Sequence, residues 1–193
     1  GASRNAFGDI GGWYKLPILA SSFRKGFRIL YVHGNRLSKE SLLITYGTGM
    51  SKKSWAFSIS STVRYAAKGY VPGTSMASFA YFAGIDKKLN DKNTLSLIVF
   101  GAPRTTARAS LNTDEVYALT GDKHYNSNWG YQNVQAGNDK GSAQTGQLRN
   151  ASNTFSHIPT AILTDNITLN DHSKLTINGS YSFGRTASTA FNY

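Results

Sequence analysis

Trp55-Ala56-Phe57-Ser58-Ile59-Ser60-Ser61-Thr62-Val63-Arg64-Tyr65 alternates with a period of two. Successive side chains of a strand point to opposite faces. Trp55, Phe57, Ile59, Val63 and Tyr65 therefore share one face, and Ala56, Ser58, Ser60, Thr62 and Arg64 the other. Aromatic residues close both ends of the apolar face and aliphatic ones fill its middle. A half-buried strand in a soluble sheet also alternates. The aromatic ends and the small polar opposite face add the profile of a strand between lipid and a watery lumen. On that reading Ser58 lines the lumen and tolerates a long charged side chain, while Ile59 does not.

The pattern recurs along the chain. Phe27, Ile29 and Tyr31 alternate with Arg28, Leu30 and Val32, and Leu42, Ile44 and Tyr46 share a face within 41–48. Further strands are expected over 75–87 (Phe79, Tyr81, Ala83, Ile85) and 94–101 (Leu95, Leu97, Val99). Two more are expected over 159–169, where Asp165 interrupts Leu163, Ile167 and Leu169, and over 174–183 (Leu175, Ile177, Tyr181, Phe183). Connections after the second, fourth and sixth strands are short and turn-like (49–53, 86–92, 168–173), whereas those after the third and fifth are long. Membrane barrels have this asymmetry, with short periplasmic turns and long extracellular loops. Residues 102–156 lack sustained alternation and read as a long loop carrying a short helix, with Thr113 as N-cap, Asp114 and Glu115 in its first turn and Gly121 beyond its end.

The totals fit a protein with two wet or lipid-facing surfaces. Charged residues make up 16% of 193, against roughly 25% in ordinary soluble domains. Ser, Thr, Asn, Gly and Tyr fill the difference. No run approaches the ~18 apolar residues of a membrane helix, so a membrane-spanning form has to be a closed barrel. The net charge of +11 raises nucleic acid as a partner, but the basic residues are scattered over turns and loops, with no recognition helix or aromatic–basic sheet motif. Nucleic acid is not expected. Without cysteine there is neither a disulfide nor a thiolate metal site.

No set of side chains points to catalysis. His33, His124, His157 and His172 have no ligand spacing, and Gly73-Thr74-Ser75-Met76-Ala77 leads into a strand rather than the helix a nucleophile elbow needs. The expectation is no enzyme, no metal and no cofactor. The most ligand-like stretch is His124-Tyr125-Asn126-Ser127-Asn128-Trp129-Gly130-Tyr131-Gln132-Asn133. Its aromatic faces and amides suit sugars, peptides or chelates. Substrate contacts are expected from His124, Tyr125, Trp129 and Tyr131, with Arg64 on the lumen wall. Arg64 and Lys174 are expected to attract anionic solute or to pair with a plug.

Gly69-Tyr70-Val71-Pro72-Gly73-Thr74, Tyr81-Phe82-Ala83-Gly84-Ile85-Asp86-Lys87-Lys88-Leu89-Asn90-Asp91-Lys92 and Phe100-Gly101-Ala102-Pro103 resemble the barrel of TonB-dependent receptors from Bacteroidota. So do Glu115-Val116-Tyr117-Ala118-Leu119, the 125–133 stretch and Tyr181-Ser182-Phe183-Gly184-Arg185, in consistent order over about 23–190. Phe7-Gly8-Asp9-Ile10-Gly11-Gly12 resembles the passage from that family's plug into its barrel. The resemblance implies an all-β antiparallel up-and-down meander, part of a ~22-stranded transmembrane barrel in the Gram-negative outer membrane. It divides the chain into a lead-in, 1–22, and a partial barrel, 23–193, of about seven strands with an extracellular loop at 102–156. It implies import of a scarce solute (siderophore, glycan or peptide), with outer-membrane lipid as surroundings and the TonB complex engaged through a plug outside this sequence. Family members carry a Lys/Arg-rich run after the 125–133 stretch, whereas Val134–Gln147 holds one Lys and one Asp. The alternative is a stand-alone small β-barrel or a soluble β-sandwich binding module.

Overall fold

The computed structural model describes residues 18–35, 38–131 and 148–190. Expectations for 1–17 and for the amide-rich 134–147 lie outside them. The strands are β1 (Gly26–His33), β2 (Glu40–Gly47), β3 (Trp55–Ala66), β4 (Ser75–Asn90), β5 (Asn93–Gly101) and β6 (Arg104–Ala107). After the helix α1 (Asp114–Thr120) come β7 (Trp129–Tyr131), β8 (Leu148–Asn150), β9 (Asn153–His157), β10 (Thr160–Asn170), β11 (Ser173–Ser182) and β12 (Arg185–Ser188). All pairing is antiparallel, and the main path runs β1-β2-β3-β4-β5-β10-β11. The chain is thus an all-β up-and-down meander of seven sequential strands. Among the described residues it does not close: β1 pairs only with β2, and β11 only with β10.

Three of the seven strands continue past a break. Pro103 and Pro159 cannot donate to a ladder, and each sits where its strand is interrupted, with Phe183-Gly184 forming the matching break in the last strand. Beyond the breaks, β6 joins the upper half of β4, then β9 and β12. This corrects the expected loop at 102–156, because 104–107 and 153–157 belong to strands. The prolines cut the alternating runs too short to read as strands. A second correction concerns 86–92: β4 runs to Asn90, and the turn is confined to Asp91-Lys92.

Register decides the faces, because directly opposed residues of an antiparallel pair lie on the same side. Trp55, Phe57, Ile59, Val63 and Tyr65 are opposed by Lys87, Ile85, Ala83, Phe79 and Ala77. Following each pairing outward adds Leu42, Ile44 and Tyr46, then Phe27, Ile29 and Tyr31. In the other direction it adds Leu95, Leu97 and Val99, then Leu163 and Ile167, then Leu175, Ile177 and Tyr181. Every apolar strand face read from the sequence falls on one side of the sheet. That side is open: Phe27 is 63% exposed, Ile59 57% and Tyr181 68%. The buried apolar residues are mostly small (Ala20, Ala56, Ala66, Ala107, with Met76 and Ile98).

The rows of opposed residues slip against the turns. Trp55 begins β3 in the row that contains Lys87, Leu95 and Asp165. Below that row β4 still runs to Asn90 and β10 to Asn170. Successive turns therefore step down the sheet, the stagger that accompanies tilted strands in a barrel wall. From Trp55 to Tyr65 the apolar face covers roughly 33 Å along the strand, or about 25 Å in height at a tilt near 40°, the height of a membrane barrel's apolar band.

The opposite face carries a strap. A short 3₁₀ turn, Ala20–Ser22, lies across it, packs on β3 and β4 and stacks Phe23 on Phe82 with ring centroids 5.2 Å apart. Ser58 is consequently 4% exposed. A Cβ placed on Gly84 would lie 3.0 Å from the Ser58 hydroxyl and 3.3 Å from the Ala20 Cβ. The expectation that Ser58 lines open lumen and tolerates a long side chain is corrected, because the strap fills that space. In α1 Thr113 holds the N-cap position without a side-chain capping bond, and Gly121 takes the left-handed conformation (φ +66°). The Glu115 carboxyl is held below its ordinary value first by the Thr113 hydroxyl and then by its own backbone N–H.

Candidate functional site

The loops converge at the end of the sheet opposite the tight turns, and two buried asparagines hold them together. Asn126 donates from its side-chain nitrogen to the Pro72 carbonyl at 2.8 Å, and its oxygen accepts from the N–H groups of Ser110 (2.9 Å) and Asn128 (3.1 Å). Asn150 donates to the carbonyls of Gly73 (2.9 Å) and Arg108 (2.8 Å) and accepts from the Ser152 N–H (2.7 Å). Within the 69–74 loop the Thr74 hydroxyl donates to the Val71 carbonyl at 2.6 Å, and the Gly69 N–H donates to the Thr74 carbonyl at 2.8 Å. Four segments distant in sequence thus share one network. Asn150 is also the first residue of an Asn-x-Ser pattern, but its amide is committed inside the protein.

Truncating Asn150 to Ala strands the Gly73 carbonyl and the Ser152 N–H, each costing about 1–3 kcal/mol when buried without a partner, and leaves the Arg108 carbonyl only its 3.4 Å bond from Asn126. The expected result is faster amide exchange at Ser152 and through 70–74, with the sheet residues unchanged. Unaltered exchange in these loops would show that the amide does not hold them.

Two recesses flank the 69–74 loop. The larger, of about 1240 Å³, is lined by Lys68, Tyr70, Trp129, Tyr131, Arg149 and Asn153 among others. Trp129 packs directly on Gly73, whose φ of +74° suits glycine. The strand residues lining this recess, Ser75, Ala107 and Asn153, are mutually opposed and share the face of Trp55 rather than that of Arg64. The smaller, of about 590 Å³, is lined by Asn35, Tyr70, Thr74, Thr106 and Arg108 among others. Its strand residues include Thr106, which lies opposite Met76 on the polar face, and Ala107, which lines both recesses.

The five residues expected to contact substrate are divided by this arrangement. Trp129 and Tyr131 come together in the larger recess. His124 sits edge-on to Tyr70, centroids 4.7 Å apart, with its Nδ1 3.8 Å from the Asp122 carboxylate. Tyr125 is partly exposed beside them, and its carbonyl accepts from the Asn112 side chain at 2.8 Å. Arg64 is on the other face, in register with Ser41 and Ser78. Among the described residues no cluster of His, Asp or Glu could hold a metal ion.

Sequence reading missed Arg104, Thr106 and Arg108. These alternate within Arg104-Thr105-Thr106-Ala107-Arg108, a short period-two signal hidden behind Pro103. The Arg104 Nε donates to the Thr106 hydroxyl at 3.0 Å. The Arg108 backbone is held on both sides, its N–H donating to Ser152 at 3.0 Å and its carbonyl accepting from Asn150. No protein-family model, no curated protein and no solved structure matches the chain.

Proposed function

We propose that this chain is a wall segment of a TonB-dependent outer-membrane receptor, a ~22-stranded barrel that imports a scarce solute. The observation that carries the reading is the inversion of apolar side chains: most of the large strand residues are exposed on one continuous face, with Leu30, Val32 and Phe100 on the other, and the buried ones are mostly alanines. Soluble monomers rarely leave apolar patches beyond a few hundred Å², and a sandwich would bury these residues against a second sheet. Lipid is the partner that suits a two-sided wall with aromatics on either side of the Ile59 row, Trp55 and Phe57 towards the turns and Tyr31, Phe79 and Tyr65 towards the loops. The unpaired edges at β1 and β11 are where further strands would add, since exposed edges invite pairing. The resemblance supplies the family, the solute-import role and the coupling to TonB.

These 193 residues hold no cysteine, so labels within them can be placed one at a time against a cysteine-free background. Single cysteines at Ile59, Leu97 and Thr62 are introduced into the intact receptor, and outer-membrane vesicles are treated with a charged, water-soluble maleimide. Ile59→Cys and Leu97→Cys are expected to stay unlabelled until detergent dissolves the bilayer, while Thr62→Cys reacts through the lumen. Equal labelling at all three positions before detergent would favour a soluble binding module and end the barrel reading.

A further inference from the structure

The polar face is lopsided in charge. Register places Arg28, Arg64, Arg104 and Lys174 on it, and Arg108 lines the smaller recess together with Thr106. Of the strand acids, Glu40 and Asp165 are on the apolar face, and Asp86, on the polar face, is sealed beneath the strap. Asp91 and Asp171 occupy turns at the far end. Among the described residues no carboxylate comes within ion-pair distance of Arg64, Arg104 or Arg108.

The arginines form a group with its own geometry. Arg64 and Arg104 flank Ser78 in one row, and the row continues through Ser156 to Thr186. Two residues higher on β6, Thr106 accepts from Arg104 and lines the recess together with Arg108. Hydroxyls thus interleave with guanidiniums from the lumen wall up into a cavity of about 590 Å³. Guanidinium presents a planar fork of donors matched to two oxygens of a carboxylate, phosphate or sulfate. Several such forks without acids are unfavourable to one another until an anion enters.

We propose that Arg104, Thr106 and Arg108, with Arg64 across Ser78, form a binding subsite for a solute carrying two or more anionic oxygen groups, such as phosphates, sulfates or carboxylates. This rests on reading the polar face as a lumen and names the chemical class of what is carried past it. The Thr106–Arg104 bond presets one fork, and the Asn150 clamp fixes the backbone of the other.

Inorganic pyrophosphate serves as the probe, titrated calorimetrically into the full chain in neutral detergent at low salt. Saturable binding is expected, weakened at least tenfold in the R104Q/R108Q double variant and less than twofold in Arg28→Gln, which removes one positive charge from the same face on a distant strand. If the double variant does not fold, as judged by circular dichroism, Arg64→Gln reads the same row with an expected loss of threefold or more. No saturable binding by the unaltered chain overturns the proposal. So does a folded double variant within twofold of it, or an equal loss with Arg28→Gln, which would mean diffuse attraction. The two readings fail separately: pyrophosphate binding by a protein whose Ile59→Cys labels freely keeps the subsite and removes the barrel, and the reverse pattern keeps the barrel alone.

Discussion

Arginine in place of Ile59 is expected to destabilise the protein in lipid vesicles by about 2–4 kcal/mol, the cost of a cation near the middle of a barrel's lipid face. Ile59 lies midway between Trp55 and Tyr65, and its opposed neighbours Tyr46 and Ala83 offer no acid. The residue is 57% exposed, and that exposure makes the experiment decisive. At an exposed site on a water-soluble protein the same substitution stays within about 0.5 kcal/mol. Thr62→Arg is the control, because Thr62 shares the polar face with Arg64 and lies opposite Leu43 and Ala80. Urea unfolding in vesicles, followed by tryptophan fluorescence, should separate the two variants. Equal midpoints would place both residues in water. Ser58 cannot serve as the control, since an arginine there would have to displace the strap at Ala20.

The part of the fold that was legible is the part governed by a local rule. Alternation along 55–65 needs only the strand's own geometry, and β3 starts at Trp55 as that pattern requires. Tight turns were readable for the same reason. Two kinds of feature were not. Strand continuity past Pro103 and Pro159 was hidden because a proline interrupts the alternating run, although the chain resumes the ladder at the next residue, Arg104 or Thr160. The strap was hidden because nothing local in Ala20-Ser21-Ser22 says that it crosses β3 and β4, whose Asp86 lies 65 residues beyond Ser21. The site divided along similar lines. Aromatic density in 124–131 was visible, but the face each residue shares with Arg64 depends on register, which separates Arg64 from Trp129. Asn126 and Asn150 are ordinary loop asparagines until their three carbonyl partners, Pro72, Gly73 and Arg108, are assembled. The arginine row exists only across strands, from Arg64 through Ser78 to Arg104.

The second large effect is expected at Asp86, which is wholly buried and joins the strap to the wall. Its carboxylate accepts from the Ser21 N–H at 2.7 Å, the Ser21 hydroxyl at 2.6 Å and the Ser96 hydroxyl at 2.6 Å. A buried charge survives only when its lone pairs are occupied, and hydrogen bonds to charged groups contribute about 1.5–3 kcal/mol each. Asp86→Ala should therefore cost about 3 kcal/mol or more, and it should release the strap, because the Ser21 N–H has no other acceptor among the described residues. Asp86→Asn separates charge from shape. The amide oxygen can face Ser21 and accept from its N–H and hydroxyl, while the amide nitrogen turns to Ser96, whose hydroxyl can accept as well as donate. The Ser21 bonds should then survive, weakened by the lost charge, and the strap should stay in place. Amide exchange at Ser21 and Phe23 reads the first, and Phe23–Phe82 stacking reads whether the strap has lifted. The apolar face carries none of these bonds, so Ile59→Cys labelling should be unchanged in the Asn variant. If exchange at Ser21 stays as slow in Asp86→Ala as in the unaltered chain, the carboxylate is not what fastens the strap, and Phe23 on Phe82 must hold it alone.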